Sequence, residues 1–336
     1  MSDAAPAALA DGQVRRHPDA YRLALLAGLA IVVALVLARV GGVGDGAAAE
    51  NFVVVFTSIV VEALPFVMLG ALVSALIEVV VPERAFDRLA RLPARLQVPG
   101  AVAGGLAFPV CECGSVPVAR RLILKGMHPA AGVAFMLAAP IVNPVVIAST
   151  FVAYQGRAQW EMVLGRVILG MGLALVVGWM IGRRPDAGTF LRRQAHDHAD
   201  HGGGRLSSLV EHWTGDAFFM GKFVVAGGAL AAALQTAVPQ DVFSGLLGSA
   251  PVSAVVMMAL AFCLSLCSEA DAFVAISFGQ FPLSSQLAFL VFGPVIDIKL
   301  VLLYAATFGR AFVLDVMLLA AAATLTGAMF FDLLVA

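Results

Sequence analysis

The chain has 336 residues, 61% of them hydrophobic and 13% charged, with a net charge of −1 at neutral pH. Soluble globular domains carry about 25% charged residues, so this balance argues against one, and the lack of a basic region argues against a nucleic-acid surface. The four cysteines do not make a disulfide framework.

In chain order, residues 1–21 form a polar N-terminus carrying Arg15 and Arg16, with Arg22 directly after it. The apolar run 22–40 is long for the core of a signal peptide and is read as a retained extra transmembrane span. Six further runs reach the length needed to cross a bilayer, on the order of 20 residues: 52–81, 130–154, 160–182, 217–238, 284–308 and 312–335. Two apolar stretches have a different character. One is 98–125, broken by Gly100, Gly104, Gly105, Pro109, Gly114 and Pro117; the other is 251–278, containing Pro251, Ser253, Ser265, Ser268 and Ser277. A polar, His-containing loop, 183–215, separates a first repeat (52–182) from a second (216–336).

The two halves share an ordered set of residues. Cys113 and Cys267, Pro140 and Pro294, and Asn143 and Asp297 are each 154 positions apart. Such internal self-similarity is the mark of a duplicated membrane fold. Charge then orients it, because Lys and Arg in short loops favour the cytoplasm. Arg84, Arg88, Arg91 and Arg95 flank the first irregular stretch on one side, and Arg120, Arg121 and Lys125 flank it on the other. Both groups reach the cytoplasm if 98–125 enters the membrane and returns, and its length is short of the roughly 40 residues that two crossings need. The same reasoning for 251–278 makes the halves point in opposite directions. The expected fold is an all-α polytopic membrane protein: an inverted-topology repeat with two re-entrant or broken-helix hairpins and a cytoplasmic N-terminus. Arg157 and Arg166 fit this topology less well, since they fall near its outer side.

Several polar groups stand out against the apolar background. Cys111, Glu112 and Cys113 precede Gly114 at the tip of the first irregular stretch. Thiolate and carboxylate together suit soft or borderline ions. The second stretch offers Cys263, Cys267, Glu269 and Asp271, with Cys263 and Cys267 at the spacing of one helical face. Asn143 lies between Pro140 and Pro144, and Asp297 occupies the matching place in the second half, with Lys299 two positions on. Intramembrane ionisable groups are expensive and mark function by default, so Asp297 and Glu269 are candidates for proton exchange. Asp297 and Lys299 are expected to face separate partners. His196 and His198, with His201, form a tract able to gather metal. No phosphate loop, dinucleotide fingerprint or zinc-protease motif is present, and neither a cofactor nor an enzymatic activity is expected.

CECGSVP, APIVNP, CSEADAF and GPVIDIK resemble motifs of the predicted permease family that includes organoarsenical efflux permeases and YraQ-type (UPF0718) membrane proteins. The resemblance spans roughly 50–335. It implies a bacterial inner-membrane permease whose motif positions fall here on Cys111, Cys113, Gly114, Pro117, Pro140, Asn143, Pro144, Cys267, Ser268, Glu269, Ala270, Asp271, Gly293, Pro294 and Asp297. Many relatives have serine between the first two cysteines; this chain has Glu112, which favours a divalent cation over a purely thiol-bound metalloid. The resemblance also implies a possible second small membrane subunit. The expected function is secondary, proton-coupled export of a soft or borderline metal ion or a trivalent metalloid species. A membrane thiol oxidoreductase using Cys111 and Cys113, and a non-transporting subunit of a larger complex, are the alternatives.

Overall fold

The computed structural model describes residues 46–80, 92–106, 110–183, 205–237 and 249–335. The extra span 22–40, most of the arginine-bearing segment 83–95, and His196 and His198 lie outside them. Among the described residues every regular element is a helix, in two sets of six. The first set is α1 (Gly46–Val80), α2 (Ala94–Gly105), α3 (Glu112–Leu124), α4 (Pro129–Val142), α5 (Pro144–Ala153) and α6 (Gln159–Gly182). The second is α7 (Arg205–Ala237), α8 (Ala250–Leu264), α9 (Asp271–Ser277), α10 (Leu283–Phe292), α11 (Ile298–Thr307) and α12 (Arg310–Val335).

Among the described residues, five helical stretches are long and apolar enough to cross a membrane: Ala49–Val80, Pro129–Ala153, Gln159–Gly182, Arg205–Thr236 and Arg310–Leu334. Their outward faces carry Val61, Trp160, Ile168, Phe218, Leu318 and Phe330, all exposed. Helices this apolar all round need lipid rather than water as their solvent. The chain is therefore an all-helical polytopic membrane protein.

Two sequence expectations change. The run 284–308 is not one helix but α10 and α11, separated at Gly293–Asp297; Pro294 has no N–H for a helical ladder and disfavours helix in the residue before it. The run 130–154 stands as a spanning stretch, Pro129–Ala153, with its helix broken at Asn143, just ahead of Pro144. The loop 183–215 ends early, because α7 already starts at Arg205. Trp213 explains this extension: its indole N–H donates to the Met68 carbonyl at 3.0 Å, docking the first turns of α7 on α1.

The two irregular stretches both fold as helix, break and helix. At about 1.5 Å per residue, α2 (12 residues), α3 (13), α8 (15) and α9 (7) are each shorter than the roughly 30 Å hydrocarbon core. Their arms pack on the next helix rather than mainly on each other: α2 and α3 both lie against α4, and α8 and α9 both lie against α10.

Helix α4 is the hub, buried throughout from Ala130 to Val142. Its partner α6 carries Gly170, Ala174, Gly178 and Gly182 at four-residue intervals. A Cβ on Gly178 or Gly182 would fall 2.7 or 2.2 Å from the Cβ of Ala134 or Ala130. Such small-residue stripes let helices approach closely where no hydrophobic effect drives them together. Glycine does the same at the other key crossing, where Gly70 of α1 lies directly against Gly114 of α3.

Candidate functional site

The breaks in the helices place polar side chains in the protein interior. Cys111 caps α3, with its Sγ accepting from the Gly114 N–H at 3.4 Å. Glu112 is then the first residue of that helix. Asp297, in extended backbone, caps α11, accepting from the Leu300 N–H at 2.7 Å. Asn143 caps α5 in the same manner, through the Val146 N–H at 2.9 Å. Carboxylates are favoured at these positions because a helix N-terminus carries about half a positive charge and has free N–H groups to satisfy.

Helices α3 and α11 meet, and their first turns bring Glu112 and Lys299 together. Lys299 Nζ stands 3.5 Å from Glu112 Oε1 and 3.4 Å from Asp297 Oδ2, with all three side chains 1% exposed. Asp297 and Lys299 thus share one partnership instead of facing separate ones, because the extended cap at Asp297 turns its side chain back onto the first turn of α11. Glu112 Oε1, Asp297 Oδ2 and Lys299 Nζ make no hydrogen bond. The second Glu112 oxygen accepts from the Ser268 hydroxyl at 3.2 Å, and Ser268 also lies 3.5 Å from Glu269 Oε2. Cys113 and Cys267 are buried within electrostatic reach of both Lys299 and Glu112. Cys111 is buried within electrostatic reach of Glu112 and Cys267, and Glu62 of α1 is within electrostatic reach of Lys299 and Glu112. Gly227 of α7 gives Lys299 its room: a Cβ there would sit 2.7 Å from Lys299 Cα.

A second charged centre adjoins the first. Arg166 of α6 forks onto Asp271, its two terminal nitrogens donating to Oδ1 at 2.8 Å and Oδ2 at 2.7 Å. It also donates to Thr150 Oγ1 at 2.9 Å and to the Ser268 carbonyl at 3.3 Å. Ser268 therefore touches both centres, through its hydroxyl and its carbonyl. Arg166 is 1% exposed, so it is not an outer-loop cation. Its presence inside the apolar run 160–182 was the available signal, since a buried arginine requires a buried carboxylate. Lys299 was legible as an intramembrane cation, but its partner Glu112 lies in the other half of the chain.

The structure brings together Glu112, Asp297, Cys113 and Cys267, with Glu269 joined through Ser268, and assigns Asp271 to Arg166. Cys263 stands apart. It is half-buried in α8, while Cys267 follows the helix end at Leu264, beyond Ser265 in a left-handed conformation (φ 53°). The two do not share a helical face as their spacing suggested, because the helix stops between them. The four cysteines are free thiols. Among the described residues, no three His, Cys, Asp or Glu side chains stand in a group able to hold a metal ion. Ser115 is committed to the backbone, donating to the carbonyls of Glu112 at 2.9 Å and Met136 at 3.1 Å.

Spanning helices interrupted around a buried, charged interior define a polytopic membrane permease, in which irregular backbone is tolerated only where protein or a cavity surrounds it. The chain belongs to the predicted permease family ArsP_1, whose model matches residues 48–333. It is 39% identical over 264 residues to the UPF0718 protein YcgR of Bacillus subtilis, covering 77% of this chain and 89% of that protein. A Streptococcus mutans protein, provisionally named as a subunit of a two-component membrane permease complex, is 32% identical over 271 residues, covering 78% of this chain and 88% of its own. No solved structure matches.

Proposed function

We propose that the chain is a secondary transporter of the bacterial inner membrane that exports a soft or borderline metal ion or a trivalent metalloid species. The observation that carries this reading is the meeting of Glu112, Lys299 and Asp297 at two helix starts, with the thiols of Cys113 and Cys267 in reach. In lipid such groups are retained only at a cost, on the order of 2.5–3.5 kcal/mol each on insertion scales. Thiols supply affinity for soft species, and carboxylates neutralise a cation. Glu269 and Asp297 are assigned proton exchange, so that the proton gradient drives export.

Alternating access by an inverted repeat is part of the proposal. The same order of elements in both halves supports it, as do the matching caps of Asn143 and Asp297. The contact of α3 with α11 and that of α9 with α5 exchange under the same correspondence. The N-terminus is placed in the cytoplasm on the distribution of arginines. A second small membrane subunit is also proposed, from the name of the Streptococcus mutans relative.

The test is accumulation in energised everted vesicles, with zinc, copper(I) and a trivalent organoarsenical as substrates, each with and without a protonophore. Uptake of one species that collapses with the gradient is the expected result. No uptake of any of them, by protein shown to be inserted and folded together with any subunit that co-purifies, would overturn the assignment.

A further inference from the structure

We propose that the Lys299 ammonium is a tethered occupant of a cation site formed by Glu112 and Asp297, which the transported cation enters by displacing it. This rests on the transport reading for its consequence, but its geometry stands alone. Three observations carry it. Lys299 Nζ lies at similar distances, 3.5 and 3.4 Å, from carboxylate oxygens contributed by different halves of the chain. These exceed the roughly 2.7–2.9 Å of a charge-assisted hydrogen bond. The three facing atoms, each fully buried, make no hydrogen bond at all. A lysine whose role was only structural would be expected to close onto one carboxylate, since leaving buried charged atoms without hydrogen bonds is costly.

Charge balance gives the reason for the arrangement. Glu112 and Asp297 contribute two negative charges, and the starts of α3 and α11 return roughly half a positive charge each. One positive charge is missing, and Lys299 supplies it. Emptied of Lys299, the site is acidic and buried, further biased by Glu62 and Glu269, and its charge is met by a metal ion or by protons. An ammonium on a four-carbon stem can withdraw without unfolding its helix. Bridging both carboxylates, the ammonium also offsets their mutual repulsion. The tethered amine therefore sets the site's affinity, weakening it enough for a bound ion to leave.

The experiment is calorimetric titration of zinc into the purified full-length protein in micelles, comparing wild type with Lys299→Met, Lys299→Arg and Lys299→Met/Glu112→Gln. Loss of a competing charge at effectively millimolar concentration or above is expected to tighten zinc binding in Lys299→Met by about tenfold or more, or ~1.4 kcal/mol. The double variant should lose that gain. Lys299→Arg should bind more weakly than wild type, because a guanidinium can bridge two carboxylates with better hydrogen bonds. Zinc binding no tighter in Lys299→Met than in wild type would overturn the proposal. Should Lys299→Met fail to fold, Lys299→Arg decides, and equal or tighter binding there would overturn it. Vesicle uptake of the wild type separates the two ideas. Tightened binding without any uptake leaves the cation site standing and removes the transport reading. Zinc uptake with unchanged binding in Lys299→Met does the reverse.

Discussion

Arg166 and Asp271 form a forked ion pair at 2.8 and 2.7 Å, inside the apolar packing and 105 residues apart in the chain. It joins α6 of the first half to the start of α9 in the second, and its side bond to the Ser268 carbonyl fixes the segment that also supplies a hydrogen bond to Glu112. The pair is therefore a support for the charged site.

Replacing Arg166 with Ala leaves Asp271 buried without its counter-ion. Breaking one side of such a pair costs about 3–5 kcal/mol, so the variant should lose most of its folded yield in size-exclusion profiles. Arg166→Ala/Asp271→Ala should recover part of that loss. Arg166→Lys should not restore the wild-type profile, because one ammonium cannot reproduce the fork. A single Arg166→Ala variant as stable as wild type would show that the pair supports nothing.

Gly70 has no space for a side chain, since its Cβ would lie 2.4 Å from the Gly114 Cα. Gly70→Ala should push α3 away from α1 and displace Cys111 and Glu112, at a cost of about 1–3 kcal/mol for an overpacked contact. Gly100, with nothing within 4 Å of its Cβ, is the control, and Gly100→Ala should be neutral or better. Melting in detergent checks both, and equal melting points would contradict the packing.

Gly227→Ala acts on the other side of the site. Its Cβ would meet Lys299 Cα at 2.7 Å and Cγ at 3.0 Å, so α11 must shift as a body. Substrate accumulation in vesicles should fall well below wild type, with folded yield reduced less than by Arg166→Ala. Undiminished uptake would mean that the position of Lys299 does not matter to transport.

The thiols offer a further check. Cys111, Cys113 and Cys267 are buried, whereas Cys263 is half-buried. In folded, detergent-solubilised protein, a maleimide should modify Cys263 first and the other three slowly; unfolding should release four reactive thiols with or without reductant. A reductant-dependent increase would instead indicate a disulfide and favour thiol–disulfide chemistry at Cys111 and Cys113.

Arg121 ties the far part of α3 to both long helices, through Glu78 at 3.0 Å and Asp216 at 2.8 Å, while Ser74 donates to Asp216 at 2.8 Å. The Arg121 and Asp216 side chains are only partly screened from their surroundings, at 12% and 11% exposure. Arg121→Ala should therefore lower the melting temperature less than Arg166→Ala does. An effect as large would show that this network, too, behaves as a fully buried one.

Composition and the lengths of the apolar runs were enough to determine a helical membrane protein, because a bilayer accepts few other solutions for the backbone. The breaks were legible too: glycine and proline in 98–125, and proline beside Asn143 and Asp297, mark where helices stop. The interior position of Glu112, Asp297 and the thiols followed from their place inside apolar stretches. Pairing was not legible. Lys299 sits two residues from Asp297 but meets Glu112, 187 positions earlier in the chain, and Arg166 finds Asp271 across the other half. Helix termination separated Cys263 from Cys267 despite their helical spacing, and the start of α7 was drawn back to Arg205 by the docking of Trp213. Local pattern determines where a helix begins and ends and that a charge is buried. Only the packing of distant helices decides which opposite charge it finds there, because that choice is made by contacts with no fixed separation in the sequence.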